Sequence, residues 1–494
     1  MTLTVTIAAT AGGLVIGYDL GVMPGVTMLV RERLRLNHDW QQATVGVAIL
    51  AAALACALSM RAVRAVGKRS VWRVTRVRRG GALIAMLVIG GVRASRATLV
   101  FSAVCFQIGS VTLATTFTWY QLLGGRAIQG VAIGVCSTVL PGFVSDFTTH
   151  HRRRGLLLSV FPLCIVIGQF VACLASALVA QTDLDWRVLF TIELVPAITL
   201  LSAMMFTGRR NTTELLAFFA IAKSEQAPSS ATINRLCQVL RIPQLRRLLL
   251  IGCLLHVLQQ FTGINTIMFY TGTIIEASGV TDRTDALWFA CIPLAVYLSV
   301  VIVAMPAIDR IGRKPLLELS LVGVLFSTLA LAAAFWWHDT GHPAAYVPVL
   351  VCLSVYIVCF AVGLAAMPWT ITSELFPTTC NSFCLPVVTC ANWTSNLIVS
   401  ATFLTLIDTI GKTGTYLLYA SVTLIGLILV HQCLPETKGR STELVLHEIA
   451  DGDLVGGTDC ASKLERPKTR EEELLSIGKN DNTNTGVALL SMTV

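Results

Sequence analysis

The chain has 494 residues, of which 54% are hydrophobic and only 13% are charged, and its formal net charge is +9. Soluble globular domains average about 25% charged residues, so the composition excludes an ordinary soluble domain and indicates a membrane protein with many spans. The basic residues fall between apolar segments, where membrane orientation and anionic lipid explain them, and we expect no nucleic-acid partner.

Apolar segments long enough to cross a bilayer recur along the chain. A crossing helix needs roughly 20 apolar residues, and about twelve segments meet that length. They lie near residues 5–30, 43–62, 98–117, 120–143, 156–180, 187–206, 247–275, 286–308, 316–337, 346–373, 384–407 and 415–434. The first begins almost at Met1 with no basic region before it, so we interpret it as a retained helix and not a cleaved signal peptide.

The predicted spans divide into two similar halves of six. The sequence GKR at 67–69 and the sequence DRIGRKP at 309–315 each follow the second span of a half. Two repeated bundles with a site between them are the architecture of secondary transporters. We therefore predict an all-α membrane protein of twelve transmembrane helices, with six-helix halves at 1–206 and 246–435 and a cytoplasmic linker at 207–245.

Two segments and the loops add detail to this plan. Residues 70–97 form an arginine-rich insertion whose apolar core is too short to span, so they are either an amphipathic surface segment or without structure of their own. Residues 436–494 are charged and glycine-rich, which predicts a mostly disordered tail. Lysine and arginine cluster in the loops of one side, so we expect that side to be cytoplasmic and to hold both termini, with the plasma membrane as the default location.

The first span carries a carboxylate, Asp19, in the sequence GYDLG. An ionisable side chain at bilayer depth indicates a functional site, and Arg126 at the start of the fourth span is the expected partner. In one interpretation Asp19 and Arg126 couple transport to a proton, which Asp19 takes up and releases as its surroundings alternate. In the other they form a permanent structural salt bridge, and the sequence leaves both open.

The seventh span carries hydrogen-bonding side chains at Gln259, Gln260, Asn265 and Tyr270. Amides that face lipid would be costly, so these side chains must face protein or a water-filled cavity. If the helix opens near Thr262 and Gly263, they could converge on one cavity, where amides suit a polyhydroxylated ligand. Hydrogen bonding between helices is an equally good interpretation.

The tenth and eleventh spans combine aromatic and amide side chains. Trp369 follows Pro368, which bends the tenth span, and it could stack on a ring or simply pack in the core. Asn392 contributes another amide in the eleventh span. His256 and His431 are solitary in apolar spans, and we interpret them as packing or making local hydrogen bonds.

Charged residues at the predicted cytoplasmic ends of the spans form a candidate gate between the halves. They are Asp146, Arg154, Asp309, Arg310, Arg313 and Glu374. Exposed ion pairs are individually weak, so a gate needs several of them, and solvated loop charges are the alternative. No nucleophile–base pair and no metal-ligand cluster stands out, so we expect neither an enzyme nor a bound metal or cofactor.

Together these motifs resemble the sugar porter family of the major facilitator superfamily. The resemblance runs in order from GYDLG through DRIGRKP, PW and NWTSN to PETKG at 435–439, and it is greatest to the proton/myo-inositol cotransporters. It implies that Asp19 and Arg126 match the pair of the proton-coupled members. It also implies a twelve-helix fold whose sugar-contacting positions are Gln259, Gln260, Asn265, Trp369 and Asn392.

The chain departs from the family pattern at several points. The family's PESPR motif is absent after the sixth span, and Pro162 stands at a position often held by Gln. Ala365 and Ala366 loosen the usual GPxPW sequence before the tenth-span tryptophan. These changes weaken the expected inner gate and leave most of the expected central site intact.

The sequence therefore predicts a proton-coupled symporter of a cyclic polyol, with myo-inositol favoured, that works by alternating access. A facilitative hexose uniporter stays open, because hexoses and inositol differ too little for the number of amides to decide. A non-transporting, transporter-like sensor also stays open, because the gate motifs are incomplete. The expected partners are a small polyol or hexose, a proton and the lipid bilayer, and we expect a monomer.

Overall fold

The computed structural model describes residues 2–33, 38–65, 92–146, 151–182, 184–206, 243–341, 346–376 and 378–440. Within these ranges, ten helical segments are long and apolar enough to cross a membrane. Cys384–Cys433 is long enough for two crossings and leaves helical geometry at Gly411, so it counts as two spans. The shorter Thr98–Ala114 then completes twelve, and the predicted twelve-helix fold is confirmed.

The helices of the N-terminal half are α1 (Thr2–Gly21), α2 (Met23–Arg33), α3 (His38–Ala65), α4 (Val92–Ala114), α5 (Trp119–Asp146), α6 (His151–Gln181) and α7 (Val188–Phe206). Because α4 begins at Val92, the last residues of the predicted insertion belong to the third span. Residues 70–91 of that insertion lie outside the described residues.

The helices of the C-terminal half are α8 (Pro243–Phe261), α9 (Ile264–Glu276), α10 (Arg283–Ile311), α11 (Arg313–Asp339), α12 (Tyr346–Val362), α13 (Met367–Leu375) and α14 (Thr378–Cys433). Helix α8 starts at Pro243, so the end of the predicted linker is helical. The remainder of that linker, and the tail beyond residue 440, lie outside the described residues.

The first span of each half is interrupted. Helix α1 ends at Gly21 and α2 begins at Met23, while α8 ends at Phe261 and α9 begins at Ile264. Gly263 in the second break has a φ of 92°, a conformation that glycine adopts without steric cost. The helix therefore opens where the sequence suggested. Breaks of this kind occur at membrane depth where the backbone lines a cavity or is buried in protein.

Close packing fixes the direction in which Asp19 points. A Cβ atom at Gly17 would overlap the backbone of Ile165, so α1 and α6 touch through their main chains at this glycine. The Tyr18 hydroxyl donates to the carbonyl of Leu189 on α7 at 2.9 Å. Residues two apart are separated by about 200° around a helix, so Asp19 points away from α6.

The two halves meet along pairs of helices, which include α2 with α9, α3 with α14 and α6 with α10. With its amide nitrogen toward Ala401, Gln42 donates to that carbonyl at 2.8 Å and accepts from the backbone nitrogen of Thr405 at 2.8 Å. On α6 and α10, the Sγ atoms of Cys173 and Cys291 are 3.4 Å apart. These contacts lie toward the face opposite the termini, so the described conformation is closed at that face.

Candidate functional site

A buried cluster of ionisable side chains lies in the N-terminal half. Arg126 Nη1 of α5 donates to Asp19 Oδ1 of α1 at 2.5 Å, so the predicted pair is formed. The same nitrogen donates to Gln129 Oε1 at 2.9 Å. Gln129 Nε2 in turn donates to Glu193 Oε2 of α7 at 2.6 Å. The cluster therefore joins three helices through two acids, one base and one amide, all of them buried.

The charge of this cluster is not balanced. With both carboxylates and the guanidinium ionised, it carries one net negative charge, which is costly at bilayer depth. Asp19 Oδ2 and Glu193 Oε1 are buried and have no hydrogen-bond partner among the residues that the structure describes. A proton on either oxygen would neutralise the cluster without breaking an existing hydrogen bond. The arrangement therefore has room for one added proton on a carboxylate.

Glu193 and Gln129 were not predicted from the sequence as site residues. The sequence could have identified Glu193 as a candidate, because it is a lone carboxylate inside the apolar span Val188–Phe206. The same feature identified Asp19. Gln129 lies three residues after Arg126, one turn along α5. Only the packing of α7 against its neighbours shows that this amide links Arg126 to Glu193.

A second buried cluster lies in the C-terminal half, where predicted substrate-binding residues meet. Gln259 Nε2 donates to Leu364 O at 2.7 Å and to Ala365 O at 3.3 Å. Its Oε1 accepts from Asn392 Nδ2 at 3.0 Å. Gln259 thus ties α8 to the bend between α12 and α13 and to α14. Its donors and its acceptor are engaged by protein, so in this conformation Gln259 holds the cluster together.

Gln260 and Asn265 meet across the break between α8 and α9. An unbroken helix would point them about 140° apart, yet Asn265 Nδ2 donates directly to Gln260 Oε1. Gln260 Nε2 and Asn265 Oδ1 carry no hydrogen bond within the described residues, and neither atom is fully buried. The break therefore leaves one donor and one acceptor available to a ligand.

The two predicted aromatic contacts differ in their surroundings. Trp369 lies near the start of α13 with 41% of its surface exposed. Tyr270 is fully buried, packs on Phe403 and donates to Ser400 O at 3.3 Å. Its ring and hydroxyl hold α9 against α14 in this conformation, and contact between Tyr270 and substrate stays a prediction.

Another amide, Gln169 of α6, is buried beside Gly21 of α1. Its Oε1 has no hydrogen-bond partner in the described part of the chain. Gln169 follows the exposed Pro162 by seven residues, two helical turns, so the two share one face of α6. The N-terminal half therefore offers an amide two turns beyond the position where the family pattern often has Gln.

The predicted gate is described only in part, because the side chains of four of its members lie outside the described residues: Asp146, Arg154, Asp309 and Arg310. Arg313 Nη2 is 3.0 Å from Glu374 Oε1, and Thr437 Oγ1 donates to Glu374 Oε2 at 2.6 Å. The Arg313 backbone nitrogen donates to Glu436 at 3.0 Å. These described contacts all join residues that follow Gly312 in the chain, and the latch between the halves stays a prediction.

Two six-helix halves, an interrupted first span in each and a buried polar cluster on either side define the class of secondary transporters with a central site. The chain belongs to the sugar transporter family, because the family described as "Sugar (and other) transporter" matches residues 4–448. The predicted family is thus confirmed, and so is the expectation that the protein is not an enzyme.

Known proteins resemble the chain over most of its length. The galactose-proton symporter of Escherichia coli strain K12 is 27% identical over 471 residues, which cover 92% of this chain and 95% of that protein. The human proton myo-inositol cotransporter is 25% identical over 548 residues, covering 89% of this chain and 80% of that protein. A crystal structure of a D-xylose-proton symporter has a TM-score of 0.68 at 22% identity, covering 89% and 99% of the two chains, and supports the fold alone.

Proposed function

We propose that this protein couples the movement of a proton to the transport of a cyclic polyol, with myo-inositol as the favoured substrate. The observation that carries the proposal is the buried cluster of Asp19, Arg126 and Glu193, which needs one added proton to be neutral. Alternating access would expose such a cluster to one side of the membrane at a time. The names of the two relatives described above, both proton-coupled carriers, support the same activity.

Protonation of the cluster can be linked to the movement of the halves. A proton on Asp19 Oδ2 turns the ion pair with Arg126 into a weaker hydrogen bond to a neutral acid, which loosens the attachment of α1 to α5. Because α1 continues into α2, and α2 packs on α9 at the closed face, this release favours opening there. Loss of the proton restores the ion pair and the described conformation. With the termini in the cytoplasm, as the basic loops predict, that conformation faces inward.

The amide cluster supports a polyhydroxylated substrate. Gln260 Nε2 is available as a donor, and the Oδ1 atoms of Asn265 and Asn392 are available as acceptors. Neighbouring hydroxyls both donate and accept, so they can satisfy this set together. The half-exposed Trp369 adds an aromatic surface for the apolar face of a ring, and Gln169 adds an amide from the other half. The favoured cyclitol follows from the resemblance to inositol carriers, since a hexose could satisfy the same atoms.

Uptake by purified protein in liposomes tests the proposal. With the outside two pH units more acidic, radiolabelled myo-inositol should accumulate, and the limit for one proton per substrate is about 100-fold because each pH unit is worth about 1.4 kcal/mol. A protonophore should abolish the accumulation, and glucose should be taken up more slowly. Uptake that stops at equal concentrations would indicate a facilitative uniporter. Binding without flux would indicate a sensor, and faster uptake of glucose would assign the site to hexoses.

A further inference from the structure

His256 connects the helices of the amide cluster. It is fully buried on α8, one turn before Gln259. Its Nδ1 is 3.1 Å from Asn392 Nδ2 on α14, and its Nε2 is 3.5 Å from Thr372 Oγ1 on α13. Its ring meets Trp369 edge-on, with the ring centroids 4.4 Å apart and the planes at 82°. The histidine interpreted from the sequence as packing or local hydrogen bonding therefore touches two of the predicted substrate contacts.

The hydrogen bonds define which ring nitrogen carries the proton. Asn392 Nδ2 has two hydrogens, one directed to Gln259 Oε1 at 3.0 Å and one to His256 Nδ1. Nδ1 therefore accepts, and the proton of the neutral ring lies on Nε2. The Thr372 hydroxyl already donates to Pro368 O at 2.7 Å, so its oxygen faces Nε2 as an acceptor.

These bonds leave the Asn392 amide with one orientation. If the amide turned over, its oxygen would face Gln259 Oε1 and His256 Nδ1, two acceptors. In the described orientation Oδ1 has no partner within the described residues and is not fully buried. Asn392 therefore presents its oxygen, an acceptor, to a ligand, and the ligand group that meets it must donate a hydrogen bond.

We propose that His256 is a positioning residue that fixes Asn392 so that its oxygen accepts a hydrogen bond from a substrate hydroxyl. This inference rests on the proposed polyol function and adds a basis for substrate specificity: the group that faces Asn392 must be a hydrogen-bond donor. Every carbon of the myo-inositol ring carries a hydroxyl that can donate at this point. The ring oxygen of a hexopyranose can only accept, so orientations that direct it toward Asn392 are rejected.

Three substitutions separate positioning from simple packing. His256→Asn retains an acceptor where Nδ1 lies, so myo-inositol should bind within about threefold of the wild-type Kd, since the Asn392 donor stays satisfied. His256→Gln moves the polar group out toward Nε2, and His256→Leu removes it. Both should weaken binding at least about tenfold, because a buried donor loses its partner. Binding of tritiated myo-inositol to purified protein, with thermal unfolding as the check on folding, measures these effects.

A double-mutant comparison distinguishes positioning of Asn392 from a purely structural role of His256. In an Asn392→Ala background, His256→Gln should have no further effect on binding, because the two residues act through one hydrogen bond. The accumulation ratio driven by a pH difference should persist at saturating substrate in His256→Gln, which separates positioning from coupling. Wild-type binding by a folded His256→Gln, or an equal additional loss in the Asn392→Ala background, would overturn the inference. If the wild-type protein itself neither binds nor accumulates myo-inositol, the proposed function fails instead.

Discussion

An Asp19→Asn variant should lose proton-driven accumulation of myo-inositol completely while still exchanging substrate across the membrane. Asparagine matches the shape of the aspartate and can still accept from Arg126, but it cannot take up and release a proton. With a difference of two pH units, the accumulation limit should fall from about 100-fold to equal concentrations on both sides, because proton coupling supplies about 1.4 kcal/mol per unit. Uptake and counterflow in liposomes measure the two activities separately.

The matched control is Asp339→Asn, which removes an exposed carboxylate at the end of α11 and should leave accumulation unchanged. A Glu193→Gln variant shows which acid is essential. If Asp19→Asn still concentrates substrate and Glu193→Gln does not, the coupling carboxylate is Glu193 and the assignment to Asp19 is wrong. If both variants still concentrate substrate, the whole cluster is structural.

Oxidative bridging of Cys173 and Cys291 should stop transport. The two Sγ atoms are 3.4 Å apart, close to the separation of about 2.05 Å in a disulfide bond, so we expect an oxidant to join them. Each cysteine is eight residues from the end of its helix at the closed face, about 12 Å along the helix axis. Opening that face must separate α6 from α10, so the bridge would hold the described conformation. Copper phenanthroline should form the bridge, and dithiothreitol should restore uptake.

A second thiol contact, between Cys56 of α3 and Cys390 of α14, also joins the halves. The experiment therefore uses a Cys56→Ser background, in which a change in transport reports on the α6–α10 pair alone. Adding Cys173→Ser to that background should make transport insensitive to the oxidant. Full transport by protein whose Cys173–Cys291 bridge is verified by mass spectrometry would show that the halves do not separate at this point.

The number of spans and the pairing of Asp19 with Arg126 follow from the sequence for physical reasons. Bilayer thickness fixes the length of each apolar segment, so spans can be recognised one at a time. Ionisable side chains inside such segments tend to pair with one another, which made Arg126 an expected partner of Asp19. The opening at Gly263 was also predictable, because glycine permits the left-handed backbone there.

The partners of Gln259 could not be predicted in this way. They are the carbonyls of Leu364 and Ala365, which are available only because the chain bends between α12 and α13. Pro368 indicated a bend in the tenth span, but the sequence does not show which carbonyls face α8. The contacts of His256 with Thr372 and Asn392 could not be predicted for the same reason, since these partners are more than 100 residues away along the chain.

The most direct test of coupled transport is to follow protons and substrate together in liposomes that contain only this protein. A pH-sensitive dye in the lumen and radiolabelled myo-inositol outside report both movements, with no pH difference imposed at the start. Inositol should enter and acidify the lumen in wild-type protein, and Asp19→Asn should show no inositol-dependent acidification. Entry of inositol into wild-type liposomes with the lumen pH unchanged would contradict proton coupling by the buried cluster.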